Sequence, residues 1–101
     1  MSAGSFGKDP IEQFPVGLDM RGQLPTGRVV TRGTASAVDV ADNSAASSVL
    51  VRTSATITSE RFVDIPVKAG TADHRYKLIF DIWDDANNHY RETLIMLVRA
   101  E

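Results

Sequence analysis

Cysteine is absent from the 101 residues, which excludes disulfides, thiolate nucleophiles and zinc–cysteine sites. Histidine occurs only as His74 and His89, leaving little for a metal site or a general base. Aromatic residues make up 7% of the chain, thin for a platform that stacks sugars. No excess of positive charge exists: 11 Lys+Arg against 13 Asp+Glu gives −2. A protein that holds DNA or RNA by net charge needs a basic surface, so no nucleic-acid partner is expected. The longest apolar run, Leu94-Ile95-Met96-Leu97-Val98, falls far below the roughly 20 residues of a membrane helix. The first residues lack a basic start followed by an apolar run, so neither a secretory signal nor a membrane partner is expected. The expectation is a soluble chain made in the cytosol.

What is present suits one compact domain. Hydrophobic residues reach 43%, and the length lies near the mode for single domains. Residues 1–13 hold two glycines and Pro10, with Phe6 and Ile11 as their few apolar anchors. They show no periodicity and read as an extended N-terminal arm, expected to leave residues 14–101 and lie on a neighbouring subunit. Phe14, Val16, Leu18 and Met20 then alternate with Pro15, Gly17, Asp19 and Arg21, the period of a strand with one buried face. Pro15 cannot donate to a ladder, so this strand is expected to lie at an edge or to begin irregularly.

The middle of the chain reads as a strand at Val29-Val30-Thr31, a weak segment ending in Val38 and Val40, and a turn at Asp42-Asn43-Ser44. A long run on one parity follows: Val49, Val51, Thr53, Ala55 and Ile57. Its β-branched residues favour pleated sheet, as one bent strand or two. The last third is the clearest. Val63, Ile65 and Val67 alternate with polar residues, and a corner runs from Ala69 to Arg75. Tyr76, Leu78, Phe80 and Ile82 then alternate strictly, and Asp84 to His89 forms an Asx-rich turn before a returning strand from Tyr90 to Arg99. Setting Leu78 near Leu94 or Met96 also sets Asp81 opposite Arg91 or Thr93. The register shifted by one would oppose Asp81 and Glu92. About seven strands with short turns predict an all-β fold, an immunoglobulin-like β-sandwich. In such sandwiches a Tyr at the start of the penultimate strand folds its hydroxyl back to the backbone upstream. Gly70, Asp73 and Tyr76 are the expected structural corner.

Two stretches carry a family resemblance. One is Lys8-Asp9-Pro10 followed by an apolar strand containing Asp19. The other is Val67-Lys68-Ala69-Gly70-Thr71-Ala72-Asp73-His74-Arg75-Tyr76, continuing through the last hairpin to Val98-Arg99. Together they cover roughly the first fifth and the last third of the chain. In these the chain resembles small tailed-phage virion proteins of the fiber–tail adaptor or head–tail accessory type, which have an Ig-like fold. The first strand departs in keeping only Phe14 of the family's aromatics, and the corner has Ala69 and Asp73 where the family has Gly. The resemblance implies a virion location, assembly in the host cytoplasm and partners among tail, fiber, connector or capsid proteins.

No chemistry-bearing motif competes strongly with that reading. Asp73-His74 beside many serines lacks the Gly-x-Ser-x-Gly elbow of a hydrolase. Asp81, Asp84, Asp85, Asn87 and His89 do not match the spacing of a calcium loop, and an Asx-rich turn explains them without a metal. No Gly-x-Gly-x-x-Gly precedes a helix, and Arg28, Arg32, Arg52 and Arg61 are scattered among acids. No enzyme activity, cofactor or metal is expected.

Surface chemistry for partner contact remains. With the Tyr76 parity facing inward, Ile79 and Trp83 point outward, as do Ile95 and Leu97 on the returning strand. A sandwich in water shows polar residues on its outer face, so these four predict a covered surface. With Phe6 and Ile11 of the arm they form the expected partner-binding set. The expected function is a non-enzymatic structural adaptor, present as a homo-oligomer or symmetric multi-copy assembly. A capsid decoration or cement protein is the first alternative. A free-standing carbohydrate-binding module is the second, with Trp83, Tyr90, Phe62 and Phe6 as its only candidate platform residues.

Overall fold

A computed structural model describes residues 2–99. These residues are all-β, with eight strands among them: β1 Ser2–Lys8, β2 Phe14–Asp19, β3 Val30–Asp39, β4 Ser44–Ala45, β5 Thr56–Ser59, β6 Phe62–Val67, β7 Arg75–Asp84 and β8 His89–Val98. One short 3₁₀ turn, Ser47–Val49, interrupts them. Five strands form one sheet in the order β1-β8-β7-β3-β4, and three form another in the order β2-β6-β5. Among the described residues no helix is long and apolar enough to cross a membrane.

Alternation explains the longest strands. β7 buries Tyr76, Leu78, Phe80 and Ile82, and β8 buries Leu94, Met96 and Val98. Their register sets Leu78 against Leu94 and Asp81 against Arg91. From the smaller sheet Val16, Leu18, Val63, Ile65 and Val67 enter the same core. The two sheets therefore share one apolar interior. β2 is an edge strand, and its Pro15 faces Pro66 of β6, so a proline that cannot donate costs the ladder little.

Three segments differ from their sequence expectations. The first residues do not leave the fold: Ser2–Lys8 is an edge strand paired in parallel with β8 of its own chain, Phe6 facing Met96. Glycine hides a strand from periodicity because it supplies no side chain to alternate, and among the described side chains of β1 Phe6 is the apolar one that packs against the core. Phe6 also meets Phe14 edge-on at 6.1 Å, tying β1 to the opposite sheet. Second, Val29 to Val40 is not two weak segments but contains a single ten-residue strand. Third, the run from Val49 to Ile57 is neither one bent strand nor two. Val51 N–H donates to Pro66 of β6, but Ala35 of β3 donates to Thr53, and Ala55 donates to Gly33 of β3. The segment passes from one sheet to the other and only then settles into β5. Its even spacing does not mark one buried face, since Val51 and Ile57 are exposed.

The corner before β7 is built by backbone conformation. Ala69, Gly70 and Asp73 all have positive φ, at 52°, 99° and 67°. The buried Tyr76 hydroxyl accepts from Thr71 N–H at 2.8 Å, and Asp73 N–H donates to the Val98 carbonyl at 2.8 Å. A buried phenol needs such a partner. Lys8 locks the same corner to β1: its Nζ donates to the carbonyls of Ala69 at 2.6 Å and Asp9 at 2.8 Å. A nearly full burial of Lys8, 3% exposed, is tolerable because those oxygens replace water.

Candidate interaction face

The outer face of the five-stranded sheet collects most of the residues singled out from the sequence. Facing pairs along β7 and β8 run Arg75–Leu97, Lys77–Ile95, Ile79–Thr93, Asp81–Arg91 and Trp83–His89. β3 adds Ser36 beside Ile79 and Arg32 beside Trp83. β1 adds Ser5 beside Ile95 and Gly7 beside Leu97. Ile79, Trp83, Ile95 and Leu97 are all half-buried. They share one face but not one cluster, because the Asp81–Arg91 pair separates Trp83 from the others.

At the Trp83 end the chain covers its own aromatic ring. The Arg32 guanidinium lies 4.0 Å from the ring centroid, a distance at which the ring quadrupole attracts it. His89 stacks on Trp83 at 4.5 Å with planes 5° apart. His89 Nε2 lies 2.7 Å from Asp81 Oδ1, and Arg91 Nε donates to the same oxygen at 2.8 Å. Burial works against ionisation of Asp81, but the bonds from Arg91 and His89 outweigh it and hold the carboxyl below its usual value.

The hairpin turn fixes this end. Asp84 accepts from the backbone N–H groups of Ala86 and Asn88, from Asn88 Nδ2 and from the Tyr90 hydroxyl, at 2.9 to 3.0 Å. Burial opposes its charge, yet these donors lower its pKa to about 2. Asn87 takes the left-handed conformation the turn requires, with φ 63°, a region that asparagine tolerates. Of the carboxylates in this stretch, Asp84 is thus engaged in the turn and Asp81 by Arg91 and His89, while Asp85 Oδ1 accepts from Val29 N–H at 3.3 Å and lies 3.6 Å from Arg28 Nε. Among the described residues no group of three His, Cys, Asp or Glu side chains could hold a metal ion.

At the opposite end the face is concave. Phe6, Val40, Ile95 and Leu97 line a hollow of roughly 530 Å³ with Arg75 and Arg99 at its margin. A neighbouring hollow shares Val40, Leu97 and both arginines, and reaches Asp73 and His74. His74 Nδ1 is 2.7 Å from Asp39 Oδ2; the acid that holds this imidazole is Asp39 on β3, not its sequence neighbour Asp73. Hydrogen bonds from His74 and Ala41 hold the Asp39 carboxyl below its usual range.

Ile11 lies off this face, in the turn after β1, and is 91% exposed. Phe6, by contrast, reaches both the core and the hollow. Sequence reasoning gave no role to Val40, Arg75, Arg99 or Lys8. Of these only Arg75 was accessible from the register, since the Arg75–Leu97 pair puts an arginine beside an outward leucine. Lys8 carried no signal, because nothing in its neighbours marks a lysine as buried. No protein-family model matches the sequence, and no curated protein is similar to it.

Proposed function

We propose that the chain is a non-enzymatic virion structural protein of a tailed phage, an immunoglobulin-like sandwich docking in the tail, neck or fiber assembly through its larger sheet. The observation that carries this reading is the outer face of β7 and β8, where Ile79, Ile95 and Leu97 stand among Arg75, Lys77 and Arg99. A sheet face turned to water favours polar side chains, and apolar residues rimmed by charge suit a protein contact. The immunoglobulin-like assignment is supported by the strand order. β2-β6-β5 has the order of the smaller sheet of that fold, and β8-β7-β3-β4 that of the larger one in its variable type. The Tyr76–Thr71 bond lies where a tyrosine corner belongs. The virion assignment rests on the resemblance of Lys8-Asp9-Pro10 and the Val67–Tyr76 corner to the adaptor family.

The adaptor reading is preferred to a carbohydrate-binding module because Trp83, the widest aromatic surface, is flanked by Arg32 and His89 and offers no open ring. The test is localisation. Purified particles are separated into tails and capsids, and each fraction is probed with antibody against this chain. Recovery with tails, necks or fibers is expected. Recovery with isolated capsid shells would favour a decoration protein. A chain found only free of particles, and retained by a glycan array, would overturn the virion reading.

A further inference from the structure

We infer that the hollow beside β1 receives the Asp9–Glu12 turn of a second copy of this chain, with Ile11 seated between Arg75 and Arg99. This deepens the docking reading above and rests on it. The turn is rigid. Glu12 N–H donates to the Asp9 carbonyl at 3.0 Å, Ile11 N–H to Asp9 Oδ1 at 3.0 Å, and Asp9 N–H to Glu12 Oε1 at 2.7 Å. Lys8 Nζ fastens its base through the Asp9 carbonyl. Ile11 is held at the tip with 91% of its surface exposed, the most open large apolar side chain among the described residues. A preorganised apolar tip loses little entropy on docking.

The hollow matches that tip in two respects. Its apolar lining side chains are Val40, Ile95 and Leu97, and Val40 is 45% exposed. The hollow is also lined by two cations, Arg75 and Arg99, whereas the turn carries two carboxylates, Asp9 two positions before Ile11 and Glu12 one after it. Among the described residues Arg75 and Arg99 form no ion pair, and the nearby Asp39 is engaged by His74. Opposite charge around an apolar plug sets orientation and raises the rate of encounter. Many copies held in one particle need only a weak contact of this kind.

The absence of cysteine makes the test clean. Full-length Ile11→Cys and Val40→Cys variants, one carrying a size tag, are mixed and oxidised. Ile57→Cys replaces Val40→Cys in the control, at a site 38% exposed on the other sheet. The Ile11–Val40 mixture is expected to form its mixed disulfide about tenfold faster than the control, since docking raises the local thiol concentration. That advantage should shrink in about 1 M salt, where charges are screened beyond about 3 Å. Equal rates in the two mixtures would overturn the proposal. Equal rates with normal entry of the chain into particles would remove the second copy and leave the docking face standing. Selective cross-linking by a chain that never enters particles would do the reverse.

Discussion

Gly70 and Ala69 are neighbours with positive φ and opposite expected responses to substitution. At Gly70 a Cβ would stand 2.7 Å from Val98 Cγ2 and 3.4 Å from Tyr76 Cε2. Gly70→Ala therefore adds a clash to a disfavoured conformation, and should cost about 2–4 kcal/mol. Ala69, at φ 52°, already bears the conformational cost. Ala69→Gly should be neutral or stabilise by up to about 1 kcal/mol, the relief being partly offset by the freer unfolded chain. Denaturant midpoints of the two variants check both signs. Asp84 has a folded pKa of about 2 against an ordinary 3.8. As pH falls the unfolded chain takes up this proton first, so the stability from Asp84 is complete above about pH 4 and is lost as pH falls through about 2. Asp84→Asn should lower stability at neutral pH and flatten that acid slope in urea titrations at several pH values. The Asx richness of this turn is visible in the sequence, but the convergence of four donors on Asp84 is not. It depends on Tyr90 and Asn88 returning to the same point across the hairpin.

Among elements, β1 and the Val49–Ile57 segment show what periodicity misses. β7 and β8 are legible because each residue either faces the shared core or the outer face, so the alternation is complete. β1 has two glycines among its described side-chain positions and a single aromatic anchor, so its pairing with β8 is set by backbone hydrogen bonds and by Lys8. The Val49–Ile57 run alternates in sequence while its backbone bonds to β6 and then to β3, so no single face exists for it to present. Of the proposed contact residues, the outward parity of Ile79, Trp83, Ile95 and Leu97 was readable. The hollow was not, because it requires Phe6 and Val40 to be brought beside Leu97 by pairings distant in sequence. Since β1 belongs to its own chain's sheet, removing residues 1–8 should lower the melting temperature of the isolated monomer by several degrees. Loss of the Phe6–Phe14 contact and of the donors to the Ala69 carbonyl and the β8 edge accounts for this. Lys8→Met, which keeps β1 but removes that donor, should reproduce part of the loss. A truncated chain as stable as the full one would return these residues to the status of an independent arm.

At the scale of the molecule the docking reading proposed above gives the two faces of the larger sheet separable tasks, and paired substitutions can test it. Phe80 is fully buried among residues of both sheets, so Phe80→Ala should cost about 3–5 kcal/mol, a large share of the 5–15 kcal/mol that holds a domain of this size. Trp83→Ala should cost the monomer only about 1 kcal/mol, through the lost Arg32 and His89 contacts at a partly exposed site. Ile95 gives the sharper test. Its facing neighbour is Lys77, so Ile95→Glu exchanges a half-buried apolar contact for an opposite-charge pair across the strands, and the monomer should stay within about 1 kcal/mol of the parent. The same carboxylate and its Lys77 partner would have to be stripped of water against whatever covers Ile79 and Leu97, a desolvation that costs several kcal/mol. Particle incorporation of Ile95→Glu should therefore fall by about tenfold or more while its unfolding curve barely moves. Phe80→Ala should show the converse, an early unfolding transition with normal incorporation of the folded fraction. If Ile95→Glu unfolded early and its folded fraction entered particles normally, the outer face would be serving the monomer's own stability rather than a partner.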